Sequence, residues 1–359
     1  HYVAAADGSG KLTPAGETEF ARDRAFGYKA SHLPSWVEEK TGGRIRAADV
    51  CSLTLDLIRN GGPGAVQAAL AALPAGGANA VIVANALTPA DMAIVSLGCM
   101  QAERAGALVH GLLYRSAGAL VAARAAIPSR PLLTAPELKR TAIPEADSAV
   151  ETATETAAEA GLIVVGSYVG KSTEQLAVLH ERCPWVGVVE LNVRQLAEGG
   201  EAWSSEEARA RGEVEAALRR EQSVVVHTSR EVLQDDGQGG LLIGDRVNRA
   251  IIKLIQSLSI FPAFLVAKGG ITSNDVAVEG LGVRRADVLG CVRPGVPVWR
   301  CGPESRAPGL AYVVFPGNVG ARDDLARVAS LMSGRGDALP SATAETDATQ
   351  DVCAASIVG

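Results

Sequence analysis

The residues best suited to chemistry lie in GLIVVGSYVGKSTEQLAVLH (161–180). There a β-branched run reaches Gly166, and Gly170, Lys171, Ser172 and Thr173 then open a helix-like segment. Glycines followed by Lys-Ser/Thr are the residue types of a phosphate-binding loop, whose backbone N–H groups wrap the phosphates while the lysine reaches the terminal one. That loop needs four residues between its glycines, and only Ser167, Tyr168 and Val169 stand between Gly166 and Gly170. The missing residue removes an N–H and displaces Lys171. Such an enzyme also uses an apolar strand ending in an acid to hold Mg2+, and WVGVVE, ending at Glu190, imitates one. A P-loop NTPase is therefore one open reading.

Two further segments have the form strand, glycine turn, helix. In VAKGGITSNDVAVEGLGV (266–283), Gly269 and Gly270 allow a ligand to approach the backbone, and Thr272 or Ser273 is expected to cap the helix. A helix start of this kind offers unpaired N–H groups to an anion, although an ordinary strand-to-helix turn reads the same way. In YVVFPGNVGARDDLARV (312–328), the strand breaks at Pro316-Gly317-Asn318, with Gly320 and an Asp-rich helical turn beyond. Between them, RPGVPVWRCG (293–302) predicts a rigid turn near Trp299, a residue that can pack on an adenine but more commonly fills core.

The elements that must position these turns alternate along the chain. HYVAAADGSGKLTPAG predicts a strand, a glycine turn and a returning strand, and SHLPSWVEEKTGG a short helix ended by Gly42 and Gly43. Residues 49–58 predict a buried strand, PGAVQAALAAL a helix, and 79–87 a second strand. A helix capped by Thr88 with Pro89 in its first turn follows. LIVVGS, WVGVVELN, SVVVHTS and AFLVAKGG repeat the strand pattern later, with helical segments between. The expected class is α/β, in two domains that each layer helices on a mainly parallel sheet. Ligands in such sheets bind beyond the carboxyl ends of the strands, which directs attention to Gly166, Ser167, Asn192, Thr228, Gly269 and Gly270. The expected boundaries are 1–130 for the first domain, 131–160 for a Pro-marked and then acidic, Ala/Thr-rich connection, 161–332 for the second domain, and 333–359 for a disordered tail or linker.

Composition narrows the partners. At 359 residues the chain holds two cores, and its formal net charge of −6, 4% aromatic content and lack of a basic stripe argue against a nucleic-acid partner. Six cysteines and five histidines are scattered without metal spacing, a usage that suits a reducing cytosol. No apolar run is as long as a membrane span, so no membrane partner is expected.

Taken in order, VVGSYVGKSTEQL, AKGGITSNDVA, LGCVRPGVPVW and VVFPGNVG resemble successive motifs of the nucleotide-binding domain of the four-carbon acid sugar kinase family. TEFARDRAFGYKASHLPSWV and LYRSAGALVAA resemble the closing part of its substrate-binding domain. The resemblance implies a cytoplasmic ATP- and Mg2+-dependent kinase of threonate- or erythronate-like sugar acids. ATP would contact Ser167, the turn Gly269, Gly270, Ile271 and Thr272, and the loop Gly317, Asn318 and Gly320. Lys171 would then belong to the family's own turn and not to a P-loop. Ile271 stands where many members carry an acid. The family's opening Asp-Asp-x-Thr-Gly and Asp-Ser-Thr-x-Arg-Gly motifs are absent, so the first domain is expected to be incomplete, and no catalytic base is identified. Asp23 is the one substrate-side candidate, although a solvated Asp reads the same way. A nucleotide-binding module without catalysis, part of a longer polypeptide, is the second open alternative. The polar tail after Ser333 is compatible with fusion to a further domain, and a homo-oligomer is the other assembly left open.

Overall fold

Short apolar runs bounded by capping residues dictate the elements of the first unit. In the computed structural model, which describes residues 1–4, 11–22, 26–73, 80–108, 111–140, 155–166, 170–229 and 238–336, the chain divides into two compact units that meet between Ser129 and Arg130. β1 (Tyr2–Ala4) pairs antiparallel with β2 (Leu12–Pro14), as the turn signals predict. α1 (Leu33–Lys40) stops where Gly42 and Gly43 take φ of 61° and 79°. The strand expected over 49–58 is shorter, only β3 (Cys51–Leu53), because the Thr54 hydroxyl accepts the Leu57 N–H and starts α2 (Leu55–Ala71). α2 is two helical pieces joined at Gly62, whose φ of 63° precedes Pro63. β3 pairs in parallel with β4 (Ile82–Ala84).

α3 (Pro89–Arg104) begins with the expected Thr88 cap, and Asp91 completes a capping box. Asp91 is almost fully buried. It accepts the Leu87 and Thr88 N–H groups at 2.9 Å each and pairs with Arg59 at 2.8 Å. α4 (Gly118–Arg124) follows. Leu53, Ile58, Val66, Leu70, Val95, Cys99 and Ala102 form the core of this unit.

The second unit is built on a seven-stranded sheet. Its elements are β5 (Glu155–Thr156), β6 (Leu162–Val165), α5 (Gly170–Arg182), β7 (Gly187–Leu191), α6 (Val193–Glu198), α7 (Gly200–Arg219), β8 (Val224–Thr228), α8 (Gln238–Ser257), β9 (Ile260–Phe261), β10 (Phe264–Lys268), α9 (Gly270–Asp275), β11 (Ala286–Arg293), β12 (Val296–Cys301), β13 (Ala311–Phe315) and α10 (Asp324–Met332). The sheet order is β11-β12-β13-β10-β6-β8-β7, and β13 through β7 run parallel. β5 pairs with β9 separately. The four expected apolar runs are β6, β7, β8 and β10. β6, β8 and β10 are buried along their whole length, as strands covered on both faces must be. Alternate side chains divide between two cores. Leu162, Val164, Val224, Val226, Leu265 and Ala267 share one with residues of α7 and α8, whereas Ile163, Val165, Val225, Val266, Val313 and Phe315 share the other with residues of α5 and α10.

Pro294 and Gly295, the latter with φ of 72°, form the two-residue turn of the β11–β12 hairpin. Trp299 on β12 stacks on Tyr312 with ring centroids 6.0 Å apart, so it fills core. Leu133 and Leu138 also pack into the second unit, and the Leu133 N–H donates to the Cys291 carbonyl at 2.8 Å. The acidic stretch 141–154 and the tail from 337 lie outside the described residues. No helix among the described residues is long and apolar enough to cross a membrane.

Asp91→Ala removes a buried acceptor from two backbone N–H groups and from Arg59, and should lower stability by about 1–3 kcal/mol in urea unfolding. The Arg59 guanidinium holds the Asp91 carboxyl well below the usual carboxylate range. The difference between wild type and variant should therefore be constant above about pH 5 and shrink only as the pH falls further.

Candidate nucleotide site

Register fixes where the glycine turns lie. Val165 of β6, Lys268 of β10 and Phe315 of β13 are side by side across the sheet, so Gly166, Gly269 and Pro316 leave it at the same level. With strands about 4.8 Å apart, the three turns fall within about 10 Å of one another. The Gly269 N–H donates to the Phe315 carbonyl at 2.9 Å, tying the second turn to the third. The first and second are in contact through Gly166, where a Cβ would stand 2.3 Å from the Thr272 hydroxyl oxygen.

Gly269 has φ of 119° and ψ of 141°, a conformation that disfavours any side chain, and it occupies the N-cap of α9 without a side-chain cap. The expectation that Thr272 or Ser273 caps this helix is thus corrected. The helix starts earlier, because the glycine pair lets the chain turn directly out of β10. Thr272 and Ser273 are buried inside it; the Ser273 hydroxyl donates to the Ala267 carbonyl at 2.7 Å, and its own carbonyl accepts the Tyr312 hydroxyl at 2.7 Å. Ile271 is 74% exposed, so burial does not account for an apolar residue there. A π-helical turn, Val276–Gly280, continues α9.

The third turn is held from below by side chains of which sequence reasoning named only Ser172, and that one for a phosphate-binding loop. Lys268 is fully buried, with its Nζ donating to the carbonyls of Pro316 at 3.1 Å and Gly317 at 3.4 Å and lying 4.1 Å from the centre of the Phe315 ring. Burial, reinforced by the positive charge of Lys171 and opposed by Asp324, pushes the Lys268 ammonium down to about 7. From α5, the Ser172 hydroxyl donates to the Gly317 carbonyl at 3.2 Å, and Gln175 Nε2 to the carbonyls of Val319 at 3.2 Å and Ala321 at 2.7 Å. Asp324 accepts the Ala321 N–H and pairs with Arg293, both at 2.7 Å. Gly320, with φ of 91°, has no room for a Cβ, which would come within 2.9 Å of the Asp324 carboxylate. A signal for these residues exists in the sequence: Ser172 and Gln175 share the buried stripe of α5 with Leu176 and Leu179, and Lys268 closes an otherwise apolar strand.

The structure therefore brings Gly269, Gly270, Ile271, Thr272, Gly317, Asn318 and Gly320 to one edge. Ser167 and Asp23 lie outside the described residues. Glu190, the acid that a P-loop would use, is on β7, two strands from β6, and its carboxylate stands 4.0 Å from His227. Among the described residues no group of three or more His, Cys, Asp or Glu side chains is placed to hold a metal ion.

Residues 162–325 match the model of a nucleotide-binding C-terminal domain, and residues 1–124 that of a sugar-binding N-terminal domain. The chain belongs to the four-carbon acid sugar kinase family. All three glycine turns of this kinase-family chain fall within its nucleotide-binding domain. No curated protein matches the sequence. Among solved structures, a DUF1537 protein (a domain of unknown function) from Bordetella bronchiseptica, a domain-swapped dimer with bound citrate, is 19% identical over 93% of this chain and 69% of its own, with a TM-score of 0.40. A second crystal form of that protein gives 20% identity over 93% and 68%, with a TM-score of 0.37. A DUF1537 protein from Haemophilus influenzae is 15% identical over 87% of this chain and 67% of its own, with a TM-score of 0.48.

Gly166→Ala would push a methyl group into Thr272 and should lower the melting temperature by an amount equivalent to about 1–3 kcal/mol. Gly170→Ala, at a position with nothing within 4 Å of the new Cβ, should leave it nearly unchanged. Equal melting shifts for the two variants would show that the β6 and β10 turns do not depend on this contact.

Proposed function

We propose that this chain is an ATP-dependent phosphotransferase that transfers the γ-phosphoryl group to a hydroxyl of a four-carbon sugar acid of the threonate or erythronate kind. The observation that carries the reading is the convergence of three glycine turns at one sheet edge, inside the segment matched as a nucleotide-binding domain. The N–H-rich turns at Gly269–Thr272 and Gly317–Gly320 suit an anionic phosphate chain, and Ser167 is assigned to the same nucleotide by the family's pattern. Mg2+ fits here as an ion brought by the nucleotide and held mainly by phosphate oxygens and water, a usual arrangement for this cation. Asp324, the buried acid beside the loop, is already occupied by Arg293 and the Ala321 N–H.

The sugar acid belongs to the segment matched as a sugar-binding domain, where Asp23 is the proposed contact. For phosphoryl transfer the protein chiefly positions reactants and stabilises charge, so backbone N–H groups and lysines near the phosphates would carry much of the effect.

Calorimetric titration with Mg-ATP and Mg-ADP, paired with an assay of ADP release in the presence of threonate or erythronate, tests the reading. Saturable nucleotide binding with sugar-acid-dependent ADP release is expected. Gly270→Asp has steric room for its side chain but sets a carboxylate at the turn, and should weaken nucleotide binding by about tenfold or more. Binding without any ADP release would leave a non-catalytic nucleotide module. Complete loss of affinity on Lys171→Ala, with Gly270→Asp unaffected, would favour the P-loop reading.

A further inference from the structure

Four carbonyl groups of the loop after β13 have partners on its buried side. Those of Pro316 and Gly317 accept from Lys268, that of Gly317 also from Ser172, and those of Val319 and Ala321 from Gln175. The Gln175 amide orientation follows from this, because two carbonyl oxygens require donors. Its Oε1 is left buried without a partner, so the amide satisfies the loop at its own expense.

In a trans peptide the C=O and the following N–H point in opposite directions. Turning the carbonyls of residues 316, 317 and 319 inward therefore turns the N–H groups of Gly317, Asn318 and Gly320 outward. Among the described residues none of these three N–H groups has a hydrogen-bond partner. The neighbouring N–H groups do: that of Val319 donates back to the Pro316 carbonyl and that of Ala321 to Asp324. Only the glycine at 320, with its φ of 91°, allows the chain to bring the third N–H around. Several outward N–H groups gathered on one short loop in this way offer an anion more than one donor.

We propose that Lys268, with Ser172 and Gln175, is a positioning residue that holds the 316–321 loop with the N–H groups of Gly317, Asn318 and Gly320 presented to phosphate oxygens, and that the charge on Lys268 governs how tightly the anion binds. The proposal rests on the nucleotide reading of this edge. It goes further by assigning the work of orientation to three buried side chains and by making affinity depend on pH. The charged groups that act on Lys268 are Lys171 from α5, which disfavours its charge, and Asp324 from α10, which favours it and is itself paired with Arg293 of β11. The Lys268 ammonium, at about 7, is half charged near neutral pH. Anion binding tightens as the pH falls through that value and the charge beneath the loop is restored. By linkage, the bound anion raises the affinity of Lys268 for its proton.

The test uses the full chain with two probes, pyrophosphate and Mg-ATP. Backbone amide NMR signals of Gly317, Asn318 and Gly320 are followed for each, and affinities are measured by calorimetry from pH 6 to 8.5 for wild type, Lys268→Met and Ser172→Ala. Because the probes titrate too, the ratio of wild-type to variant affinity at each pH is the readout. Both probes should shift the three amides. The wild-type advantage over Lys268→Met should be about tenfold or more at pH 6 and approach a smaller constant value above pH 8, while Ser172→Ala should weaken binding to the same extent at every pH. Should Lys268→Met fail to fold, the wild-type amide shifts and the Lys268 side-chain titration with and without pyrophosphate decide the matter. Pyrophosphate binding at these amides without Mg-ATP binding would retain this inference and sink the nucleotide reading. Mg-ATP binding with the three amides unmoved, or with an affinity ratio independent of pH, would overturn the inference and leave the nucleotide reading intact. Binding of neither probe overturns both.

Discussion

The parallel pairing of β6, β10 and β13 is the constraint on which the rest of the candidate site depends. Strands joined by helices can hydrogen-bond side by side in parallel only if every carboxyl end reaches the same edge. In this chain the register aligns Val165, Lys268 and Phe315. Each of the three strands is therefore followed by a turn at the same height. Glycine at 166 lets the β6 turn approach Thr272 of the β10 turn at a distance a Cβ would not permit, and glycine at 320 lets the third loop lie directly against Asp324. The site is a consequence of sheet register first and of residue chemistry second.

That arrangement places a lysine in an unusual position. Lys268 ends a strand whose other residues are wholly apolar, and its ammonium lies within the α5–α10 core, where an unpaired charge is costly. Two loop carbonyls and the face of Phe315 compensate in part, and the remaining cost appears as an ammonium that releases its proton near neutrality. Ser172 and Gln175 share the task from α5. Buried polar groups of this sort contribute little to net stability; here they fix the direction in which a short loop presents its backbone.

Much of the architecture was legible in the sequence. LIVV, GVVEL, SVVVHT and FLVAK have the length and β-branched content of parallel strands, and each appears as one, β7 at the sheet edge with alternate residues exposed and the others covered. Thr88 with Pro89, and Gly42 with Gly43, marked helix ends correctly because capping chemistry is local. The strand expected over 49–58 gives way to helix from Leu55, since Thr54 serves as a cap inside an apolar run that reads equally well as either element. Thr272 and Ser273 failed as caps for a related reason: the Gly269-Gly270 pair starts the helix before the first hydroxyl is reached.

The sequence by itself determined the element types, the glycine turns and the family, because these depend on periodicity, local backbone freedom and ordered motifs. The tertiary structure decided which turns share an edge, since strand order cannot be read from strand composition. It also decided that Lys268, Ser172 and Gln175, separated by up to 96 residues (268 − 172), meet beneath one loop. A buried lysine and a surface lysine have the same letter; only the packing of α5 and β13 around β10 determines that this one holds the loop.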